Sequence, residues 1–243
     1  MRGREARRME QNAIAIITAR GGSKRIPKKN IKVFCGKPII AYSIEAALES
    51  KLFDEVMVST DSEEIAEIAK NYGAVVPFYR SEKTSDDYAT TSDVLLEVLQ
   101  EYEKRGRFFE NTCCLYPTAP FVTGNKLIEA QDLLISSKAD CVIPVVEFSY
   151  PPQRGMIIED EKLKLVSPEY IDTRSQDLPR MYHDIGQFYF VRTEAFKRNR
   201  KLMAGNYIPY IVSELEVQDI DNMSDWRIAE LKFQIMKEKE NRI

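Results

Sequence analysis

The sequence predicts an α/β fold, a mostly parallel sheet with helices on both faces, and three observations lead there. Apolar runs of four to seven residues alternate with helix-period segments from residue 13 to about residue 146. The runs are rich in Ile and Val and nearly free of charge, as strands covered on both faces are. The first run leads directly into Gly21, Gly22 and a series of cations, at the strand end where open parallel sheets receive ligands.

The elements follow in order. "AIAIIT" (13–18) reads as a buried strand, and "PIIAYSIEAALES" (38–50) as a helix opened by Pro38, whose missing N–H suits a first turn. "EVMVST" (55–60) is a second strand. Asp61 then caps a helix, with Glu64 three positions on completing a capping box. Ile65, Ile68, Ala69 and Tyr72 share one face of that helix, and Gly73 ends it. Next come strand "AVVPF" (74–78), a helix from Thr91 to about Lys104, strand "TCCLY" (112–116), a helix from about Asn125 to Ser137, and strand "DCVIPVV" (140–146). From Glu147 to about Arg180 the period is lost; four prolines and pieces such as "KLKLV" suggest an irregular, β-rich insertion. "GQFYFVR" returns as a strand, and "YIPYIV" and "EVQDI" read as short late strands. A helix begun at Ser224 closes the chain, with Trp226, Ala229, Phe233 and Met236 on one face. Residues 1–11 read as a flexible basic tail, and 12–243 as a single domain.

Composition removes several classes. With 35 basic against 38 acidic residues and a formal net charge of -3, the chain lacks the balance of a nucleic-acid binder. No apolar run approaches the roughly 20 residues that span a bilayer, so no membrane role is expected. None of the four cysteines forms a CxxC pair, and Cys113, Cys114 and Cys141 lie in strand-like runs, as reduced thiols in a cytoplasmic protein do. His183 is the only histidine, which leaves a zinc site or a Ser-His-Asp triad with little support.

The loop after the first strand holds six cations between Arg20 and Lys32 and no acidic residue. Glycines allow close backbone approach to an anion and the cations supply charge, which points to phosphate. Neither the G-x-x-x-x-G-K-[ST] loop nor the G-x-G-x-x-G fingerprint is present, so the ligand suggested is a nucleoside triphosphate held by a different loop. The alternative is a solvated charged loop.

Taken together, "ARGGSKRIPKKNI", "CGKPIIAYSIEAA", "VSTDSEEIAEIAKNYGA", "SDDYATTSDVL", "LYPTAPF" and "QDIDN" resemble, in the right order, the sugar-acid cytidylyltransferases, which make CMP-activated nonulosonic acids. The resemblance runs from about residue 13 to 240. It implies a Rossmann-like three-layer nucleotidyltransferase fold, CTP and a nonulosonic acid as substrates, Mg2+ as cofactor, and a homodimer in which the insertion at about 147–180 serves dimerisation and closes the active site.

Roles carry over by position. The resemblance implies that Arg20, Gly21, Gly22, Ser23, Lys24 and Lys29 hold the CTP phosphates, and that Asn30 reads the cytosine edge, where an amide donates and accepts at once. Arg80 and Ser85 match a second nucleotide-contacting segment, with an ordinary surface loop as the alternative. Asp219 and Asp221, two apart, face one side if the segment is extended, as carboxylates sharing a divalent cation must; a cap or turn is the common alternative for such a pair. With Arg20 and Lys24 they form the implied catalytic set. No general base stands out, and His183 is as well read as structural.

Tyr116, "YPPQR" (150–154) and "DIGQFYF" (184–190) resemble the pseudaminic acid branch more than the sialic acid branch. This suggests sugar contacts from Tyr116, Gln153, Arg154, Gln187 and Tyr189. The alternative makes Tyr116 and Tyr189 core aromatics and Arg154 an interface residue. CMP-N-acetylneuraminate and CMP-legionaminate synthesis remain open, as does a non-catalytic nucleotide-sensing module.

Overall fold

In the computed structural model, residues 12–240 are described, and the predicted tail at 1–11 lies outside them. Strand β1 (Ala13–Thr18) is an interior strand with no exposed face, because Ala13 through Ile17 are fully buried. A two-residue hairpin, β2 (Val33–Phe34) and β3 (Lys37–Pro38), precedes helix α1 (Ile39–Ser50). Then follow β4 (Glu55–Ser59), α2 (Glu63–Asn71), a single helical turn α3 (Glu82–Ser85), α4 (Thr91–Lys104), β5 (Asn111–Leu115), α5 (Gly124–Ser137) and β6 (Cys141–Glu147). The insertion supplies hairpin β7 (Met156–Glu159) and β8 (Lys162–Leu165) between short 3₁₀ turns. Last come β9 (Tyr182–Asp184), β10 (Phe188–Arg192), α6 (Thr193–Asn199), β11 (Tyr207–Ile211) and α7 (Met223–Glu240).

The sheet runs β11-β6-β10-β5-β1-β4, with β9 added to β6. β1 is parallel to β4 and to β5, and β6 to β11; β10 and β9 run against their neighbours. Alternation along β1 splits the core into two. Ala15 and Ile17 meet α1, α2 and α5 on one face; Ile14 and Ile16 meet α4 and α6 on the other. The expected three layers result. A third cluster docks α7 through Trp226, Ala229 and Phe233 on Phe34, Ile39 and Phe121. No helix among the described residues is long and apolar enough to cross a membrane.

Three elements differ from expectation. Helix α2 is capped by Ser62, whose hydroxyl accepts from Ile65 N–H at 3.4 Å, and not by Asp61. The Asp61 carboxylate turns the other way and accepts the Gly21 N–H at 2.8 Å. "AVVPF" contributes only a bridge between Val75 and Met57 beside edge strand β4, because Pro77 has no N–H to continue a ladder. "EVQDI" is not a strand: a 3₁₀ turn, Glu214–Glu216, is followed by irregular chain.

Candidate active site

The carboxyl ends of β1, β4 and β5 lie side by side because the three strands are parallel, and a cleft opens there. Its larger part, about 370 Å³, is lined by Thr18, the loop from Arg20 to Asn30, and Tyr116 with Pro117 and Thr118. A smaller part, about 220 Å³, shares Thr18, Arg20 and Tyr116 and continues to Arg80, Asp87 and Thr91.

The basic loop is held from outside as much as by its own turns. Gly21 is bonded to Asp61, and a Cβ there would sit 3.3 Å from that of Ser62, so a side chain at this position would press on the Ser62 cap. Gly22 meets no such limit. Asn30 is buried; its amide nitrogen donates to the Arg20 carbonyl at 2.9 Å and bends the loop onto the cleft. Arg20 donates to Asp87 Oδ1 at 2.8 Å and to the Asp86 carbonyl at 3.0 Å. Lys24 reaches Asp87 Oδ2. These two hydrogen bonds hold the Asp87 carboxyl below the usual range. Ser23 lines the cleft between Gly22 and Lys24.

Lys29 behaves differently from the other loop cations. It is partly buried and donates to the Ile220 carbonyl at 2.7 Å. Burial lowers its pKa, and the nearby Asp221 opposes the shift. The contact ties the basic loop to residues 219–221, where Ile220 is buried and Asp219 is exposed. Arg25 pairs with Asp221 at 2.6 Å. The same segment is secured by Lys126, which pairs with Glu216 at 2.7 Å, and by Lys232, which donates to the Val217 carbonyl at 2.6 Å. Asp219 and Asp221 are thus carried on a loop held by lysines, not on the extended strand expected for them. They still flank one inward-pointing residue and both lie close enough to Lys29 to act on its charge.

The other predicted residues divide. Arg80 lines the smaller part of the cleft, but its guanidinium turns back to Ser59, donating to its carbonyl at 2.7 Å and its hydroxyl at 3.1 Å. Burial lowers its pKa. Ser85 is turned away, its hydroxyl donating to the Ser81 carbonyl at 2.7 Å; Thr91, which the sequence reading missed, faces the cleft and meets the Tyr116 hydroxyl at 3.1 Å. Tyr116 stands edge-on to Tyr189 with ring centroids 6.0 Å apart. Burial pushes Tyr116 up to about 12 and raises Tyr189 further, where the Tyr189 hydroxyl donates to Asp184. Both phenols therefore stay protonated and are suited to donating, not to abstracting a proton. Gln187 donates to the Glu216 carbonyl at 2.7 Å, and its Oε1 is buried without a partner among the described residues. Gln153 and Arg154 are bonded within the insertion, to the Pro179 and Thr173 carbonyls, and do not line the cleft. His183 packs on Phe148 at the edge strand, away from the cleft lining. Asp61 and Asp87 were missed as well; their signal was their position after strand-end and turn segments, which charge counting alone does not register.

Comparison with known proteins gives the geometry a context. The model of the cytidylyltransferase family matches residues 14–212. A pseudaminic acid cytidylyltransferase of Campylobacter jejuni subsp. jejuni (strain 81-176) is 38% identical over 226 residues, 93% of this chain and 97% of that protein. A CMP-N,N'-diacetyllegionaminic acid synthase of Legionella pneumophila is 32% identical over 230 residues, with 93% and 97% covered. Among solved structures, a CMP:2-keto-3-deoxy-manno-octonic acid synthetase complexed with CTP superposes with a TM-score of 0.68 at 17% identity, covering 94% of this chain and 100% of that one. At that identity the likeness is one of fold.

Proposed function

Because the chain belongs to the cytidylyltransferase family, we propose that it transfers CMP from CTP to the anomeric hydroxyl of a nonulosonic acid, pseudaminic acid being the acceptor we favour. The observation that carries the reading is the cleft in which a cation-rich loop meets the partly buried Tyr116, itself edge-on to the buried Tyr189 behind it. The acceptor oxygen bonds to the α-phosphorus as the bond to the β-phosphate oxygen breaks. Pyrophosphate leaves with the electron pair, and the hydroxyl proton passes to solvent.

This chain's residues contribute alignment and charge. Arg20 and Lys24 neutralise the triphosphate, Gly21 and Gly22 let it approach the backbone, and Asn30 reads the base. Tyr116 and Tyr189, kept neutral, orient the acceptor with Gln187, whose unpartnered Oε1 suits a sugar hydroxyl or amide. Asp219 and Asp221 would hold Mg2+. Among the described residues no cluster of three or more potential metal-ligating side chains exists, and magnesium commonly takes one or two carboxylates with phosphate oxygens and water. The pair therefore fits an ion that arrives with the nucleotide, and the charge it supplies would offset that of the triphosphate. The proposal also includes a cytoplasmic location, supported by the buried free thiols of Cys113, Cys114 and Cys141. A homodimer is supported by the apolar exposure of the hairpin formed by β7 and β8. Such a partner would also give Gln153 and Arg154 a route to a neighbouring cleft.

The test is pyrophosphate release from CTP and Mg2+ with pseudaminic, legionaminic, N-acetylneuraminic and 2-keto-3-deoxy-manno-octonic acids side by side. Release with pseudaminic acid alone supports the full reading. Release with another acid keeps the transfer and overturns the acceptor. Silence with all four overturns both and favours a nucleotide-sensing module.

A further inference from the structure

Two of the cations that face the cleft share one internal counter-ion. Asp87 Oδ1 accepts from Arg20 at 2.8 Å, and Oδ2 accepts from Lys24. Arg20 is held a second time by the Asp86 carbonyl at 3.0 Å. The carboxylate thus presents two anionic oxygens to two cations, as the terminal oxygens of a phosphate would. A tight turn delivers it there: Asp86 Oδ1 accepts from the Tyr88 and Ala89 N–H groups at 2.9 and 2.7 Å. Packing does not hold it in place. The Asp87 side chain is 45% exposed and that of Lys24 76%, and ion pairs with such exposure are weak and sensitive to salt. A ligand with several negative charges can displace this contact, whereas a ligand that does not reach Arg20 and Lys24 leaves it intact.

We propose that Asp87 occupies the pyrophosphate-binding part of the nucleotide loop. It yields to the β- and γ-phosphates of the incoming nucleotide and returns to Arg20 and Lys24 as pyrophosphate leaves. The inference rests on the cytidylyl-transfer reading and deepens it. Asp87 keeps the two cations oriented while the cleft is empty, and it competes with the product pyrophosphate. It thereby eases the release of pyrophosphate, and it acts only on ligands whose phosphates reach Arg20 and Lys24, leaving a ligand with only an α-phosphate unaffected.

Calorimetric binding of pyrophosphate and of CMP to wild type, Asp87→Asn and Asp87→Glu tests this, with turnover of CTP followed in the same preparations. Asp87→Asn should bind pyrophosphate roughly three- to ten-fold more tightly at low salt, the size expected from removing one or two exposed ion pairs. Its CMP affinity should stay within about two-fold of wild type, and Asp87→Glu should resemble wild type. Unchanged or weaker pyrophosphate binding by Asp87→Asn, beside an active wild type, overturns the role of Asp87 alone. So does an equal gain for CMP. Absence of both pyrophosphate binding and turnover in wild type overturns the transfer reading and this inference with it.

Discussion

Lys29 shows how one residue can serve two elements. Its ammonium is withdrawn from water to bond the Ile220 carbonyl, and burial lowers its pKa from the ordinary 10.5 while Asp221 resists. The folded chain therefore releases this proton at lower pH than the unfolded chain. Between the two pKa values the unfolded state binds more protons, so this group's contribution makes stability rise with pH until 10.5 is passed. In Lys29→Met that rise should vanish from the difference between wild type and variant in denaturant-unfolding free energies across the alkaline range; a parallel pair of curves would show that Lys29 is not desolvated. At this scale much of the site was legible. Arg20, Lys24 and Lys29 announced themselves as charge beside paired glycines, Asn30 came from the family resemblance, and all four line the larger part of the cleft. Ser85 did not reach it, because in a single helical turn its hydroxyl found the Ser81 carbonyl first. Asp87 was overlooked because an acidic residue in a basic site reads as a surface charge until its partners are known.

At the scale of elements, local signals worked where they were redundant. Helix α4 has its expected bounds because Thr90 and Asp93 form a complete capping box ahead of a steady apolar face. Alternation alone misled at "EVQDI": the carbonyls of Glu214, Val217 and Ile220 are satisfied by Lys232 and Lys29 in place of a neighbouring strand. No periodicity within the segment reveals lysines that come from elsewhere in the chain. The same segment precedes α7, whose apolar face was plain. Phe233 there meets Phe34 edge-on at 5.5 Å and Tyr42 at 5.0 Å. Phe233→Ala should destabilise the protein by about 3–5 kcal/mol, read by chemical denaturation. A loss well under 1 kcal/mol would mean that α7 contributes little to the fold.

For the whole molecule, topology is what turns scattered motifs into a site. Parallel pairing of β1 with β4 and β5 gathers residues 18–30, 59–61 and 115–118 at one edge, and the layer order follows from strands buried on both faces. The insertion is the part least explained within one chain. Ile158 is 77% exposed and Leu163 69%, with Met156, Ile157 and Val166 beside them, an apolar hairpin of the kind that marks an interface. If it joins two copies, Ile158→Asp should convert a dimer to a monomer in light scattering and lower turnover more than stability. A monomeric wild type would assign the hairpin another role.

The central claim is that this cleft breaks CTP between its α- and β-phosphates and gives the CMP half to a sugar acid. Phosphorus NMR of CTP with Mg2+, pseudaminic acid and the wild-type protein addresses it directly. The account predicts equal growth of pyrophosphate and of one new phosphodiester signal, dependent on the acid. Intact CTP, or its conversion to CDP and inorganic phosphate, would contradict it.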